Sequence, residues 1–300
     1  MQSYPKTILT IPQQAQAIID AGMQVSDHHL LLDALTSIGY YRLRGYCFPF
    51  YNNITKTYLP DTTFDNIIQT YRFDRELTQL IFSFLSKIEV ALRARLSNAL
   101  LVYNDALVLE DSSKFKDKEI FWRNMGTIAS EIARSSDIFI KHHFNNHNGE
   151  IPVWAAVEIM SFGTLSKVIK NLLTGPNSAF DVLAAQYTYQ TINGQMAKPS
   201  MRAFSSWTHS LVILRNICAH NSRLYNRIIN VRPIILSSDR ISAPSPYPKI
   251  YQLILTMKYL SPSVTTWHSF AASYQELITK YSTTINIAAL GMPPDWTQHL

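Results

Sequence analysis

The sequence predicts an all-α protein, and three observations carry that prediction. Apolar residues recur at helical spacing, as in Leu77, Leu80, Ile81, Phe84, Ile88, Leu92 and Ala99. Almost no stretch alternates apolar and polar residues with the period of two that a half-buried strand needs. The periodic runs also carry start and stop residues: Pro12, Pro152 and Ser200 at beginnings, Gly22 and Gly39 at ends.

Composition narrows the class further. The 300 residues are 47% apolar, which is ordinary for a soluble globular chain. Charged residues, at 16%, fall below the usual quarter, so the chain is expected to bury much of its surface or to form a subunit interface. The net charge of +6 is compatible with a polyanionic partner. Cys47 and Cys218 stand far apart with no C-x-x-C pair, so reduced thiols in a cytoplasmic protein are expected, with no zinc knuckle. The opening MQSYPKTILT lacks a signal-peptide pattern, and no apolar run is long enough to span a membrane, so no membrane partner is expected.

The elements follow in order. Pro12 suits the first turn of a helix running to about Ala21. Ser26 or Asp27 caps a second helix through Ile38, with Leu30, Leu31, Ala34 and Leu35 on its apolar face. YYRLRGYCFPF at 40–50 interleaves Arg42 and Arg44 with Tyr40, Tyr41, Tyr46, Phe48 and Phe50. Such a stretch is either a buried aromatic turn or a surface that stacks on bases and holds phosphates. Residues 51–60 read as a loop or short hairpin.

Asp61, Thr62 or Thr63 caps the longest pattern, 61–103, in which a break is expected near Tyr71–Asp74. Glu89 and Arg93 form an i,i+4 pair beside its apolar stripe. Arg95 falls within that stripe and needs a partner or a polar cleft, because an unpaired buried charge is costly. Asp117–Ser135 reads as helix, and Ser136–Phe144 continues it or begins another. KHHFNNHNGE, holding His142, His143 and His147, reads as loop, and without carboxylate or cysteine at ligand spacing it is not expected to bind metal.

Pro152 begins a helix that buries Trp154, Val157, Ile159 and Met160. Ser161–Thr164 breaks it, and Thr164 caps the next. Glu158 is expected to pair with a buried-side arginine. A helix lies around Phe180–Tyr189. Val231–Pro248, rich in serine and proline, is a surface loop. Tyr251–Leu260 and Thr266–Tyr281 are helices, and Trp296 anchors an extended tail.

The most distinctive stretch is Leu211–Arg227, LVILRNICAHNSRLYNR. Read as one helix at about 100° per residue, it puts Leu211, Leu214 and Cys218 on one stripe with Trp207. Asn216, His220, Arg223 and Arg227 then share the opposite side, either lining a cleft or simply solvated. Histidine moves protons near neutral pH, and arginine holds a phosphate and steadies a phosphorane. Together they suit cleavage of RNA by its own 2′-hydroxyl, without a metal or other cofactor. Arg215 and His220, however, lie about 140° apart on an ideal helix. Such a site needs a bend, or a second copy of the chain to complete it. Arg202 and His209 form a looser pair of the same kind.

Five segments together carry a family resemblance: YYRLRGYCFPF at 40–50, YRFDRELTQLIFSFLSKIEVALRARL at 71–96, PVWAAVEIMSFGTLSK at 152–167, LRNICAHNSRLYNR at 214–227 and GMPPDW at 291–296. The sequence resembles the abortive-infection (Abi) family of bacteria, its AbiD/AbiF-like group, within the HEPN superfamily. The resemblance implies a HEPN-like helical bundle with N- and C-terminal helical extensions, divided as 1–60, 61–235 and 236–300. It implies a metal-independent endoribonuclease acting as a homodimer in phage defence or as a toxin. Its partners would be RNA, as substrate or as a regulatory non-coding RNA, with no DNA.

Carried over by position, the motif falls on Arg215 for the scissile phosphate, His220 as general acid or base, and Asn216 to orient them. Asn221, Arg223 and Arg227 follow the run as candidate RNA contacts, as do Tyr41, Arg42 and Arg44. Glu89, Arg93 and Arg95 would support the site. The family often has a second histidine where this chain has Asn221.

Overall fold

The computed structural model describes residues 8–239 and 248–300. Of the loop expected over Val231–Pro248, residues 240–247 lie outside the described residues, as do the first seven residues of the opening stretch. Among the described residues the fold is all-α. It has twelve α-helices and two short antiparallel hairpins. Among the described residues no helix is long and apolar enough to cross a membrane.

The chain divides into two compact units. One takes in the described residues up to Thr78 together with Glu276–Asn286; the other takes in those of Gln79–Gln275 together with Ile287–Leu300.

The first unit opens with α1 (Ile11–Asp20), started by a capping box between Thr10 and Gln13. Gly22, at φ +93°, turns the chain after it. Asp27 then caps α2 (His28–Ser37), its carboxylate accepting from the Leu30 N–H at 3.0 Å. Residues 40–50 are not a buried aromatic turn. They form α3 (Tyr40–Cys47) and a closing 3-10 turn. The reason is the spacing of Leu43, Tyr46 and Cys47, which share one buried face and leave Tyr41, Arg42 and Arg44 exposed. Of the loop or short hairpin expected over residues 51–60, the hairpin forms, as β1 (Tyr51–Asn52) and β2 (Thr57–Tyr58).

Helix α4 (Phe64–Leu100) is capped by Thr63, whose hydroxyl accepts from the Asn66 N–H at 3.3 Å. It runs unbroken through Tyr71–Asp74, where a break was expected. No proline or glycine interrupts it. The polar residue in its buried stripe, Asp74, accepts a hydrogen bond from the Tyr46 hydroxyl at 2.6 Å, so no kink is needed to reach water. The same unit is joined across the sequence by Glu76, which accepts from Lys280 and from the Tyr281 hydroxyl, each at 2.8 Å.

The second unit contains the rest of α4, α5 (Lys118–Arg134), α6 (Ile138–Asn146), α7 (Val153–Ile159), α8 (Phe162–Lys170) and α9 (Ala179–Ala184). A hairpin of β3 (Tyr189–Gln190) and β4 (Met196–Ala197) leads to α10 (Met201–Ala219), then α11 (Ile250–Tyr259) and α12 (Val264–Lys280), whose last turn belongs to the first unit. Helix α10 packs on α8 and α11 and buries Phe204, Trp207, Leu211 and Leu214 completely. Ser200 caps it as expected.

Several local elements differ from what their residues suggest. Ser161, not Thr164, caps α8, because its hydroxyl reaches the Thr164 N–H. Trp154 is half exposed rather than buried, since α7 turns Val153, Ala156, Val157 and Met160 inward instead. Glu158 is exposed and forms no ion pair among the described residues; the carboxylates that meet arginines there are Glu89 and Glu131. The histidines His142 and His143 lie in α6, not in a loop, and the chain turns only after Asn146. The tail is a 3-10 turn in which Trp296 is buried edge-on against Tyr274, and its carbonyl accepts from the Tyr251 hydroxyl at 2.9 Å.

Candidate functional site

Helix α10 ends earlier than its periodicity suggests, and that end shapes the site. The last helical residue is Ala219 and His220 is its cap. The Asn221 N–H bonds to the Cys218 carbonyl at 2.9 Å, and the Ser222 N–H reaches back to the Ile217 carbonyl at 3.0 Å. These two bonds make a Schellman motif, which needs a left-handed residue just beyond the cap. Asn221 supplies it at φ +51°. Asparagine tolerates that conformation better than other residues with a Cβ. The asparagine at this position therefore has a backbone reason.

Because the helix stops there, Asn216, His220, Arg223 and Arg227 do not share a helical face. Asn216 and His220 remain on one side of α10 and its cap, both exposed. Arg223 and Arg227 lie in an irregular segment that turns again at Asn226, φ +52°, with the Arg227 N–H bonded to the Leu224 carbonyl. Arg227 Nη1 donates to the Arg223 carbonyl at 3.4 Å.

Arg215 faces α4. Its Nε donates to Glu89 Oε2 at 3.3 Å and its Nη2 to Oε1 at 3.4 Å, while Nη1 donates to Asn216 Oδ1 at 3.3 Å. Glu89 is buried, and it also accepts from Arg93 at 2.6 Å. Arg93 Nη2 in turn donates to the Met160 carbonyl at 2.8 Å, at the break between α7 and α8. One carboxylate thus serves two guanidinium groups, and the trio keeps a net positive charge. Charge-assisted bonds are strongest near 2.7–2.9 Å. By that measure Glu89 is held tightly by Arg93 and more loosely by Arg215. Arg215 is positioned without being neutralised.

Arg215, Asn216 and Glu89–Arg93 are therefore brought together, with exposed His220 one turn on. A model of the Abi-like protein family matches residues 33–226. The chain belongs to the Abi-like protein family. The matched region contains α4 and α10 whole, and with them Glu89, Arg93, Arg215, Asn216 and His220. Membership supports a role in abortive infection, the phage-defence class in general. No curated protein and no solved structure matches the chain.

Other candidate residues of this Abi-like protein have partners of their own. Arg95 donates to the Pro262 carbonyl at 2.5 Å and lies 4.5 Å over the Tyr187 ring, so its partners are not those of Arg215. Tyr41, Arg42 and Arg44 sit on α3 of the first unit, with Arg44 5.8 Å over the Tyr51 ring. Among the described residues no group of side chains is arranged to hold a metal ion.

The sequence reading missed Lys249. Its Nζ donates to Asn226 Oδ1 at 3.0 Å, and burial, with the Arg223 charge behind it, lowers its pKa from the ordinary lysine value. It adds a cation to the Arg223–Arg227 segment. Its position 23 residues beyond Asn226 left no local signal to find it by.

Proposed function

We propose that this Abi-like protein is a HEPN-type endoribonuclease that cleaves RNA without a metal. The observation that carries the reading is the positioned Arg215–Asn216 pair, anchored by Glu89 and Arg93, with an exposed histidine at the end of the same helix. In the proposed reaction the RNA 2′-hydroxyl loses its proton and attacks the adjacent phosphorus. Arg215 balances the charge of the phosphorane, and Asn216 orients the guanidinium. The bond to the 5′-oxygen breaks, and that oxygen takes up a proton. His220 carries one of these two proton transfers. The products are a 2′,3′-cyclic phosphate and a 5′-hydroxyl.

Arg215 and His220 diverge by about 140° on a regular helix, and α10 is unbroken to Ala219. The reading therefore pairs Arg215 of one chain with His220 of a second copy in a two-fold dimer. The test is incubation of mixed RNAs with the purified protein in EDTA, beside His220→Ala. Cyclic-phosphate ends from the wild type alone are expected. Equally intact RNA in both reactions overturns the reading.

A second reading has its own observation. Tyr41, Arg42 and Arg44 are exposed together on α3, which suits an RNA-binding module that holds, or is silenced by, a structured small RNA. Co-purification of one discrete RNA in a fixed ratio supports it; absent or heterogeneous RNA counts against it.

A further inference from the structure

Helix α10 shows water a single polar stripe. Arg202, His209 and Asn216 are exposed, as is His220 at the cap. On a regular helix positions 7, 14 and 18 beyond Arg202 fall within about 40° of it. The stripe therefore runs the length of the helix, about 27 Å from Arg202 to His220.

At its N-terminal half the stripe forms one wall of a cavity of about 830 Å³. Lys167 and Lys170 of α8 line it, with Lys116 before α5 and Arg232 beyond α10; Arg202 and His209 complete the ring. That is five formal positive charges and one histidine. No carboxylate lines the cavity among the described residues. Met201, Val231 and Ile234 supply apolar surface between the cations. Like charges so crowded repel one another, and a chain otherwise poor in charge has gathered them around one cavity. A polyanion relieves that repulsion, and the apolar wall gives a base a surface to lie on.

We propose that this cavity binds the sugar-phosphate backbone of single-stranded RNA, on a strand that continues along the α10 stripe to His220. The inference rests on the ribonuclease reading for its direction, since it makes the cavity the holding site for nucleotides flanking the scissile phosphate. Arg202 and His209 are then binding residues, and the cleavage chemistry stays at the other end of the helix.

The test uses full-length His220→Ala protein and a labelled single-stranded RNA of about twelve nucleotides, with affinity followed against salt. Lys167→Glu with Lys170→Glu, and separately Arg202→Glu, are expected to weaken binding at least tenfold. Each is expected to lower the salt slope by about 0.7 for every phosphate of the single strand that is no longer neutralised. These side chains are exposed, so thermal melts of the variants are expected to match the parent. Lys141→Glu, on α6 and outside the cavity, serves as the charge control and is expected to change affinity less than twofold. Equal weakening by Lys141→Glu would show a mere effect of net charge and overturn the proposal. So would cavity variants that bind like the parent. If 5′-AMP binds as tightly as the RNA, the occupant is a free nucleotide and the strand proposal falls. The two readings separate cleanly: loss of RNA binding by the cavity variants supports this inference even where wild type and His220→Ala cleave nothing.

Discussion

Glu89 and Arg215 stand 126 residues apart in sequence, yet two guanidinium nitrogens of Arg215 meet the two carboxylate oxygens of Glu89, at 3.3 and 3.4 Å. The contact links α4 to α10 and sets where Arg215 points. Glu89→Gln keeps the shape but removes the charge, leaving two guanidinium groups side by side. Loss of about 1–3 kcal/mol is expected, since charge-assisted bonds to a buried group are broken while both arginines keep some access to water. RNA cleavage is expected to fall with it. Urea denaturation and cleavage assays on the same preparation check both. An unchanged midpoint would show that Glu89 does not hold the site together.

The two-copy site makes a prediction that a single-chain site does not. Arg215→Ala and His220→Ala are each expected to lose most activity, by about 10²–10⁴-fold for a general acid–base residue. Mixed and allowed to exchange, half the dimers carry one of each chain. Each such dimer has one intact site, so about a quarter of wild-type activity should return. No recovery on mixing, with exchange confirmed by mass, would place both groups in one chain.

Asn221 acts through its backbone. At φ +51° it closes the Schellman motif that stops α10. Asn221→Gly is expected to be the milder change, because glycine adopts the same left-handed conformation freely. Asn221→Val is expected to cost about 1–2 kcal/mol, because a β-branched residue resists left-handed backbone. Denaturation midpoints decide; equal values for the two variants would count against the role.

Much of the fold was legible because its signals are local. Asp27 and Ser200 cap the helices that follow them, as their residue types foretell. Reading failed where a local pattern outran the backbone. The apolar periodicity of Leu211–Arg227 continues past Ala219, but the left-handed Asn221 overrides it. The kink expected near Tyr71–Asp74 rested on the length of the pattern alone; the hydroxyl that satisfies Asp74 inside the unbroken helix belongs to Tyr46, 28 residues earlier, and cannot be foreseen by spacing. In the site, the Glu89–Arg93 pair showed itself at i,i+4. Its third member, Arg215, and the cavity that joins Lys167 and Lys170 to Arg202 and His209 come from how α4, α8 and α10 pack.

Glu76 gives the first unit a pH dependence. The hydrogen bond from Lys280 is the main cause that holds its carboxyl below the ordinary 4.5; the Tyr281 hydroxyl helps, and partial burial opposes them. A carboxyl depressed in the folded state stabilises it above the unfolded value and loses that contribution as pH falls through the folded one. The loss is expected below about pH 4.5. It should be small, since the Lys280 pair is open to water. Glu76→Gln is expected to flatten this acid limb while lowering stability slightly at neutral pH. Urea midpoints across the acid range, compared with wild type, provide the check, and superimposable curves would remove Glu76 from the account.

Gly291 lies close against the lysine that bonds to the basic segment beyond α10. It turns at φ +79°, and a Cβ placed on it would lie 2.5 Å from Lys249 Cβ. Lys249 in turn donates to Asn226 at the turn that carries Arg223 and Arg227. An added methyl must therefore either strain the backbone or push Lys249 away. Gly291→Ala is expected to cost about 2 kcal/mol or more, combining left-handed strain with overpacking. Freed Lys249 should also leave the Arg223–Arg227 segment less ordered, so amide exchange over residues 223–229 is expected to quicken more than in α10. If exchange rises equally in both, the effect is general destabilisation and Gly291 has no particular hold on that segment.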